Sequence, residues 1–279
     1  MCWKPDGADV REGEGQPVAA LVEYDGTEYA GFQLQKRGRT IQGELEEGLQ
    51  KIMGQAVRVM AAGRTDAGVH AKGQVVHLRA PWRHSLAALR RAWNANLPQD
   101  IAIRAVSAVP PDFHARFSAR SRVYRYRIYN ARVRSPLLHR YTWHVDQELD
   151  VERMEAATRA LLGRHDLASF GRAPQGENTV RTVLAADWRT HGRQVSMTME
   201  ADAFLQHMVR RVVATLVAVG LGRLSVEEFS GIIEARDPRQ AAGLAPPNGL
   251  CLMAVRYDPG VLNWSLPTSE LWQKENCLE

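Results

Sequence analysis

One carboxylate in this chain stands where its neighbours could put it to chemical use. Asp66 lies in the run Ala62-Gly63-Arg64-Thr65-Asp66-Ala67-Gly68-Val69-His70-Ala71, among Gly63, Gly68 and Gly73 and between the cations Arg64 and Lys72. Glycine lets a chain turn tightly and lets a large ligand approach the main chain. A carboxylate on such a loop, kept ionised by an arginine, can act as a nucleophile or a base. The same residues also describe an ordinary Asp-containing turn in which Arg64 is a structural partner, because ion pairs outnumber active sites.

Other residues invite a similar double reading. In the apolar run 205–219, Leu205, Val209, Val212 and Leu216 would form the buried face of a helix. Arg210 would then sit at the edge of that face beside Val213 and Val217, with His207 and Ala214 opposite. An arginine there either lays its stem on the core and keeps its head in water, or turns a cation toward a carboxylate or phosphate in a cleft. Tyr124 and Tyr126 alternate with Arg125 and Arg127 along one strand. Their rings could be plain core, or could stack on a nucleobase as sheet-borne aromatics do. His70, His77 and His84 recur every seven residues but straddle a loop and a strand, a spacing that favours no shared metal site. The chain has no phosphate-cradling glycine loop with its lysine, no dinucleotide fingerprint and no Ser–His–Asp signature.

The elements that must position these groups follow from periodicity and caps. Residues 18–24 read as a strand ended by Asp25-Gly26. Thr40 is placed to cap a helix with Ile41, Leu45, Leu49 and Ile52 on one face. Strands over 57–61 and 74–78 flank the Asp66 loop, Ser85 can cap a helix stopped by Pro98, and residues 101–106 form a further strand. In the second half, strands are expected over 123–129 and 141–145, and a helix from Val151 ends at Gly163. A hairpin turns at His191-Gly192, helices cover 205–219 and 225–235, and a last strand covers 250–255. The two halves share this coarse order, which suggests two like α+β units whose sheets join around a cleft.

Composition bounds the partners. Hydrophobic content of 45% and charged content of 24% are those of an ordinary globular protein. Three scattered cysteines, Cys2, Cys251 and Cys277, suggest a reducing compartment. No apolar run approaches the roughly 20 residues of a membrane span, and the polar N-terminus does not read as a signal peptide. A cytoplasmic location is expected. The net charge of +5 is unevenly spread. Between Phe113 and Val145 there are eight arginines and no Asp, Glu or Lys, while the other 28 basic residues face 31 acidic ones. Such a local surplus is the footprint of a polyanion partner, unless it is merely a solvated edge strand.

The run Gly63 to Ala71 resembles the catalytic loop of the TruA family of tRNA pseudouridine synthases. Further blocks are similar in the same order: Glu23-Tyr24-Asp25-Gly26-Thr27 with Gly31-Phe32-Gln33, Asn96-Leu97-Pro98, and Phe113-His114-Ala115-Arg116-Phe117-Ser118-Ala119 followed by Tyr124-Arg125-Tyr126. Gly163-Arg164-His165-Asp166, Thr179-Val180-Arg181, Ala203-Phe204-Leu205 with Met208-Val209-Arg210, and Gly249-Leu250 with Leu252 continue the match. Ala214 stands where the family has a glycine and Leu244 where it usually has a threonine.

The resemblance implies an α+β pseudouridine synthase fold, with two related halves sharing one mixed, largely antiparallel sheet, helices outside and a central RNA-binding cleft. Residues 1–17 and 259–279 would be tails, 18–109 the half carrying the catalytic loop and 110–258 the other half. It implies cofactor-free and metal-free isomerisation of uridine to pseudouridine on the 3′ side of the tRNA anticodon stem-loop, by a homodimer. Asp66 would be the essential carboxylate and Arg210 its cationic partner. Tyr124 would stack on the flipped uracil, Leu252 would pack against it, and Arg64 would contact RNA or fill the vacated space. Arg116, Arg120, Arg122, Arg125 and Arg127 would hold phosphates. The alternatives are a non-catalytic RNA-binding module, which would be indifferent to Asp66, and a metal-dependent nuclease or deaminase, for which clustered ligands are missing.

Overall fold

The computed structural model describes residues 15–174 and 176–264. Ten strands form one sheet. In chain order they are β1 (Gln16–Tyr24), β2 (Met60–Ala61), β3 (His70–Ala80), β4 (Ile101–Ala108), β5 (Ser121–Asn130), β6 (Trp143–Val145), β7 (Gly163–Asp166), β8 (Val180–His191), β9 (Gln194–Ala201) and β10 (Leu250–Arg256). Across the sheet the order is β4-β1-β3-β10-β5-β9-β8-β7, with β2 attached to β3 and β6 to β5. All pairings are antiparallel except β3 with β10 and β5 with β6. The α+β class and the mixed, largely antiparallel sheet are therefore as the sequence suggests.

The helices are α1 (Ile41–Met53), α2 (Leu86–Asn94), α3 (Val151–Thr158), α4 (Met208–Gly220) and α5 (Val226–Ala235). Their starts follow local chemistry. Thr40 accepts the Gly43 N–H, Ser85 that of Ala88 and Asp150 that of Arg153, while Ser225 and Glu228 form a reciprocal capping box. Strand alternation then divides the core. Val18, Ala20 and Val22 of β1 join Ile41, Leu45, Leu49, Trp93, Met154, Leu216 and Phe229 in one large cluster, so all five helices pack on one face. Each fully buried aliphatic there contributes about 1.5–3 kcal/mol. Ala19 and Leu21 point to the opposite face, into a smaller cluster with Val75 and Phe113.

Several boundaries differ from expectation. Gln16 and Pro17, expected in the N-terminal tail, already pair with Ala80 and Arg79, and residues 1–14 lie outside the described ones. Val261, Leu262 and Trp264, expected in the C-terminal tail, pack on the smaller cluster, and residues 265–279 lie outside the described ones. The strand expected over 57–61 is regular only at its last two residues. Helix α4 begins at Met208 rather than Leu205, because His207 has left-handed backbone, φ 66°.

Strand β10 joins the two sides of the sheet. Cys251 and Leu252 pair with His70 and Ala71 of β3, and Leu252 faces Tyr124 of β5 across its other edge. The strand that leaves the Asp66 loop and the strand that carries Tyr124 are thus one strand apart.

Candidate active site

The Asp66 loop is fastened from several sides. The Tyr24 hydroxyl bonds to Thr65 Oγ1 at 2.8 Å, the Phe32 N–H donates to the Thr65 carbonyl at 3.0 Å, and the Gln74 side-chain amide donates to the Gly63 carbonyl at 2.9 Å. The Val69 N–H closes the turn on the Asp66 carbonyl at 3.2 Å. Gly68 within that turn has φ +75°, and a Cβ on it would lie 2.9 Å from Pro247 Cγ. Gly26 lies under the end of the loop, where a Cβ would stand 2.0 Å from the Val69 carbonyl oxygen. His70, the first residue of β3, is buried. Its Nδ1 accepts the Gly26 N–H and its Nε2 faces the Arg140 and Asn248 carbonyls. Nδ1 also lies 3.1 Å from Asp25 Oδ1. Burial lowers the pKa of the ring, and the Asp25 carboxylate opposes that shift without reversing it.

Helix α4 delivers Arg210 to this loop. Arg210 is only 9% exposed, so its head does not snorkel to water. Its Nε donates to the Ala245 carbonyl at 2.7 Å and its Nη1 lies 3.1 Å from Asp66 Oδ2. A buried guanidinium left unpaired would be costly, so the carboxylate and the carbonyl together stabilise its position. His207 Nε2 lies 3.5 Å from the same Oδ2. The helical-wheel reading set His207 opposite the buried face. It is instead the residue just before the helix, and its left-handed backbone takes it off the wheel. No glycine signals that turn in the sequence.

Tyr124 is 9% exposed and lines the same cleft, its ring packed edge-on against Phe204 at 4.8 Å between centroids. Burial first, then the Asp66 carboxylate, raises the phenol pKa well above its ordinary value, so it stays protonated at neutral pH. Of the two leucines on β10, Leu250 lines the cleft, whereas Leu252 is 1% exposed and pairs across the strands with Tyr124.

The cleft has a volume of about 1030 Å³ and opens on the helix-bearing face, between α1, which contributes Gln42, and the first turn of α4. Among the described residues that line it, Asp66 is the one acid, against Arg58, Arg64, Arg116, Arg122, Arg181 and Arg210. Such a wall favours a polyanion. Phe117, 73% exposed, lies at its rim, its ring tilted against His114 at 4.3 Å between centroids with the Arg116 guanidinium 5.5 Å from its ring.

The arginine-rich segment is only partly in this wall. Arg116 and Arg122 line the cleft, but Arg122 spends its guanidinium on the carbonyls of Ala62, Arg116, Ala119 and Asp202. Arg120 is exposed and forms a two-pronged bond to Asp258 at 2.8 and 2.7 Å. Arg125 and Arg127 alternate with Tyr124 and Tyr126 and so take the other face of the sheet from the cleft. Arg58, which sequence reading passed over, and Arg181, noted there only as part of the Thr179-Val180-Arg181 block, are in the wall. Neither sits in a charge cluster that would have flagged it. Among the described residues there is no group of three or more His, Cys, Asp or Glu able to hold a metal, and no helix long and apolar enough to cross a membrane.

A family model described as tRNA pseudouridine synthase matches residues 20–118 and 157–258. The chain is 45% identical over 256 residues to tRNA pseudouridine synthase A of Chloroflexus aurantiacus, covering 90% of this chain and 92% of that one. It is 41% identical over 260 residues to the Vibrio cholerae protein of the same name, covering 93% and 98%. The first matched segment carries the Asp66 loop and the second carries α4 and β10, so the chain belongs to the TruA family of tRNA pseudouridine synthases.

Proposed function

We propose that this protein isomerises uridine to pseudouridine in tRNA, with Asp66 as the essential carboxylate. The observation that carries the reading is the Asp66–Arg210 pair, 3.1 Å apart, set beside a protonated tyrosine in a basic cleft. In the reaction the N1–C1′ bond breaks, the uracil turns, a C5–C1′ bond forms, N1 gains a proton and C5 loses one. The target must leave its stack to reach Asp66. Asp66 acts by addition to the ring, by attack at C1′ or by removal of a sugar proton. Each route needs the anion that Arg210 holds in place. Tyr124 supports the uracil and, as a phenol, is suited to relay a proton near C5. Leu250 and Phe204 supply apolar contact in the cleft, with Leu252 flanking Tyr124 on the neighbouring strand. Arg58, Arg64, Arg116 and Arg181 hold phosphates, and Phe117 offers a ring to an unpaired base.

The substrate segment we infer is the 3′ side of the anticodon stem-loop, acted on by a homodimer in the cytoplasm, with residues 18–109 and 110–258 as its two halves. Transcribed tRNA incubated with the protein, labelled with carbodiimide and mapped by primer extension, should show new stops on the 3′ side of that stem-loop. Stops confined to another arm would overturn the site assignment, and a monomer by sedimentation with tRNA bound would overturn the dimer.

A further inference from the structure

His207 is one of two described non-glycine residues with positive φ, at 66°, and it touches the proposed catalytic group. Left-handed backbone is unfavourable at a residue with a Cβ, which crowds the following carbonyl oxygen. Such strain persists only where the surroundings impose it, and it gathers at functional sites. Here both sides impose it. The Gln206 N–H donates to the Arg172 carbonyl at 2.9 Å, the Met208 N–H to the Leu205 carbonyl at 3.2 Å and the Arg211 N–H to the His207 carbonyl at 3.0 Å. The chain therefore enters α4 in one direction only. At this N-cap the side chain makes no cap bond. It reaches into the cleft instead, with Nε2 3.5 Å from Asp66 Oδ2. Arg210, in the first turn of α4, brings its guanidinium to the same oxygen at 3.1 Å.

We propose that His207 is a positioning residue: with Arg210 it clamps Oδ2 of Asp66, so that the other carboxylate oxygen is the one presented to the flipped nucleotide. The strained turn is what brings a second nitrogen to within 3.5 Å of that oxygen. This inference rests on the synthase reading above, and it concerns how Asp66 is aimed rather than which bond it attacks.

The test uses the full chain, tRNA bearing tritium at uridine C5, and single-turnover conditions. His207→Gly removes the donor and relieves the backbone strain, so its melting temperature should equal or exceed that of wild type. Its single-turnover rate should fall about 10- to 100-fold, as for loss of one oriented contact in a reacting geometry. The Kd for tRNA should change less than about threefold, since the phosphate contacts that dominate affinity are elsewhere. His207→Gln, whose side-chain amide can reach Oδ2 as a neutral donor, should recover at least part of the rate. A wild-type rate in His207→Gly overturns the proposal. So does a loss that tracks tRNA affinity, or one that Gln does not relieve at all. Absence of tritium release by wild type would overturn the synthase reading instead, which keeps the two failures apart.

Discussion

At the scale of residues, Arg210 shows how two uses of one side chain are told apart. At a helix edge an arginine normally keeps its charge in water, and nothing in the run 205–219 contradicts that. Burial to 9%, a bond to the Ala245 carbonyl and a 3.1 Å approach to Asp66 do. Its two bonds leave through different nitrogens, so a lysine cannot reproduce both. Arg210→Lys and Arg210→Ala should each lower the single-turnover rate by about 100-fold or more, as removal of an electrostatic partner at a reacting site does. Filter binding should find tRNA affinity within about threefold of wild type, because the remaining cleft arginines still meet the phosphates. Equal losses of rate and affinity would mean that Arg210 binds RNA rather than Asp66.

At the scale of elements, the loop and the segment beside it make separate predictions. Gly68 needs its positive φ, and a methyl group there would press on Pro247. Gly68→Ala should cost about 1–2 kcal/mol from the backbone alone, read as a lower melting temperature, together with a slower reaction. His77 of β3 is the pH-sensitive tie. Its Nδ1 accepts the Ala115 N–H at 3.2 Å and its ring faces His114 at 4.6 Å, which anchors the segment that carries Arg116 and Phe117. Burial, then the neighbouring His114, pushes its pKa down to about 4. The unfolded chain would bind that proton near pH 6.5, so the stability is full above pH 6.5 and is lost as the pH falls toward 4. Melting temperature measured across that window should fall, and His77→Asn should flatten the fall. A wild-type profile in the variant would contradict the tie.

The same elements show what a sequence can and cannot disclose. Helices α1 and α2 were legible because Thr40 and Ser85 cap them and their apolar spacing is regular. Strand β5 was legible from its alternation. That alternation already set Arg125 and Arg127 on the opposite face from Tyr124, but a count of arginines does not say which of them meet the ligand. Arg120 is matched by Asp258, far away in sequence, and Arg122 by four backbone carbonyls, so neither commitment is visible locally. Likewise the start of α4 was missed because a histidine, not a glycine, takes the left-handed turn.

For the whole molecule, the sheet order brings three distant stretches together. Strand β10 pairs with β3 just after the Asp66 loop and with β5 at Tyr124, and α4 packs on β5 and reaches the loop through Arg210. The cleft arginines come from both sides of that junction. RNA affinity should therefore weaken steeply with salt, and the slope should report which arginines meet phosphate. Arg64→Ala and Arg181→Ala should each reduce the slope of log K against log salt by about 0.7–0.9, the loss of one contact. Arg125→Ala and Arg127→Ala, on the other face, should leave it unchanged. The reverse pattern would move the RNA to the opposite side of the sheet.

The most direct test of the central claim is release of tritium from tRNA labelled at uridine C5, with purified protein in chelator and without added cofactor. Wild type should release tritium, and Asp66→Asn should release none above background while still binding the tRNA. Release by Asp66→Asn at the wild-type rate would remove Asp66 from the chemistry, and with it the role of Arg210 as the partner of a reacting carboxylate.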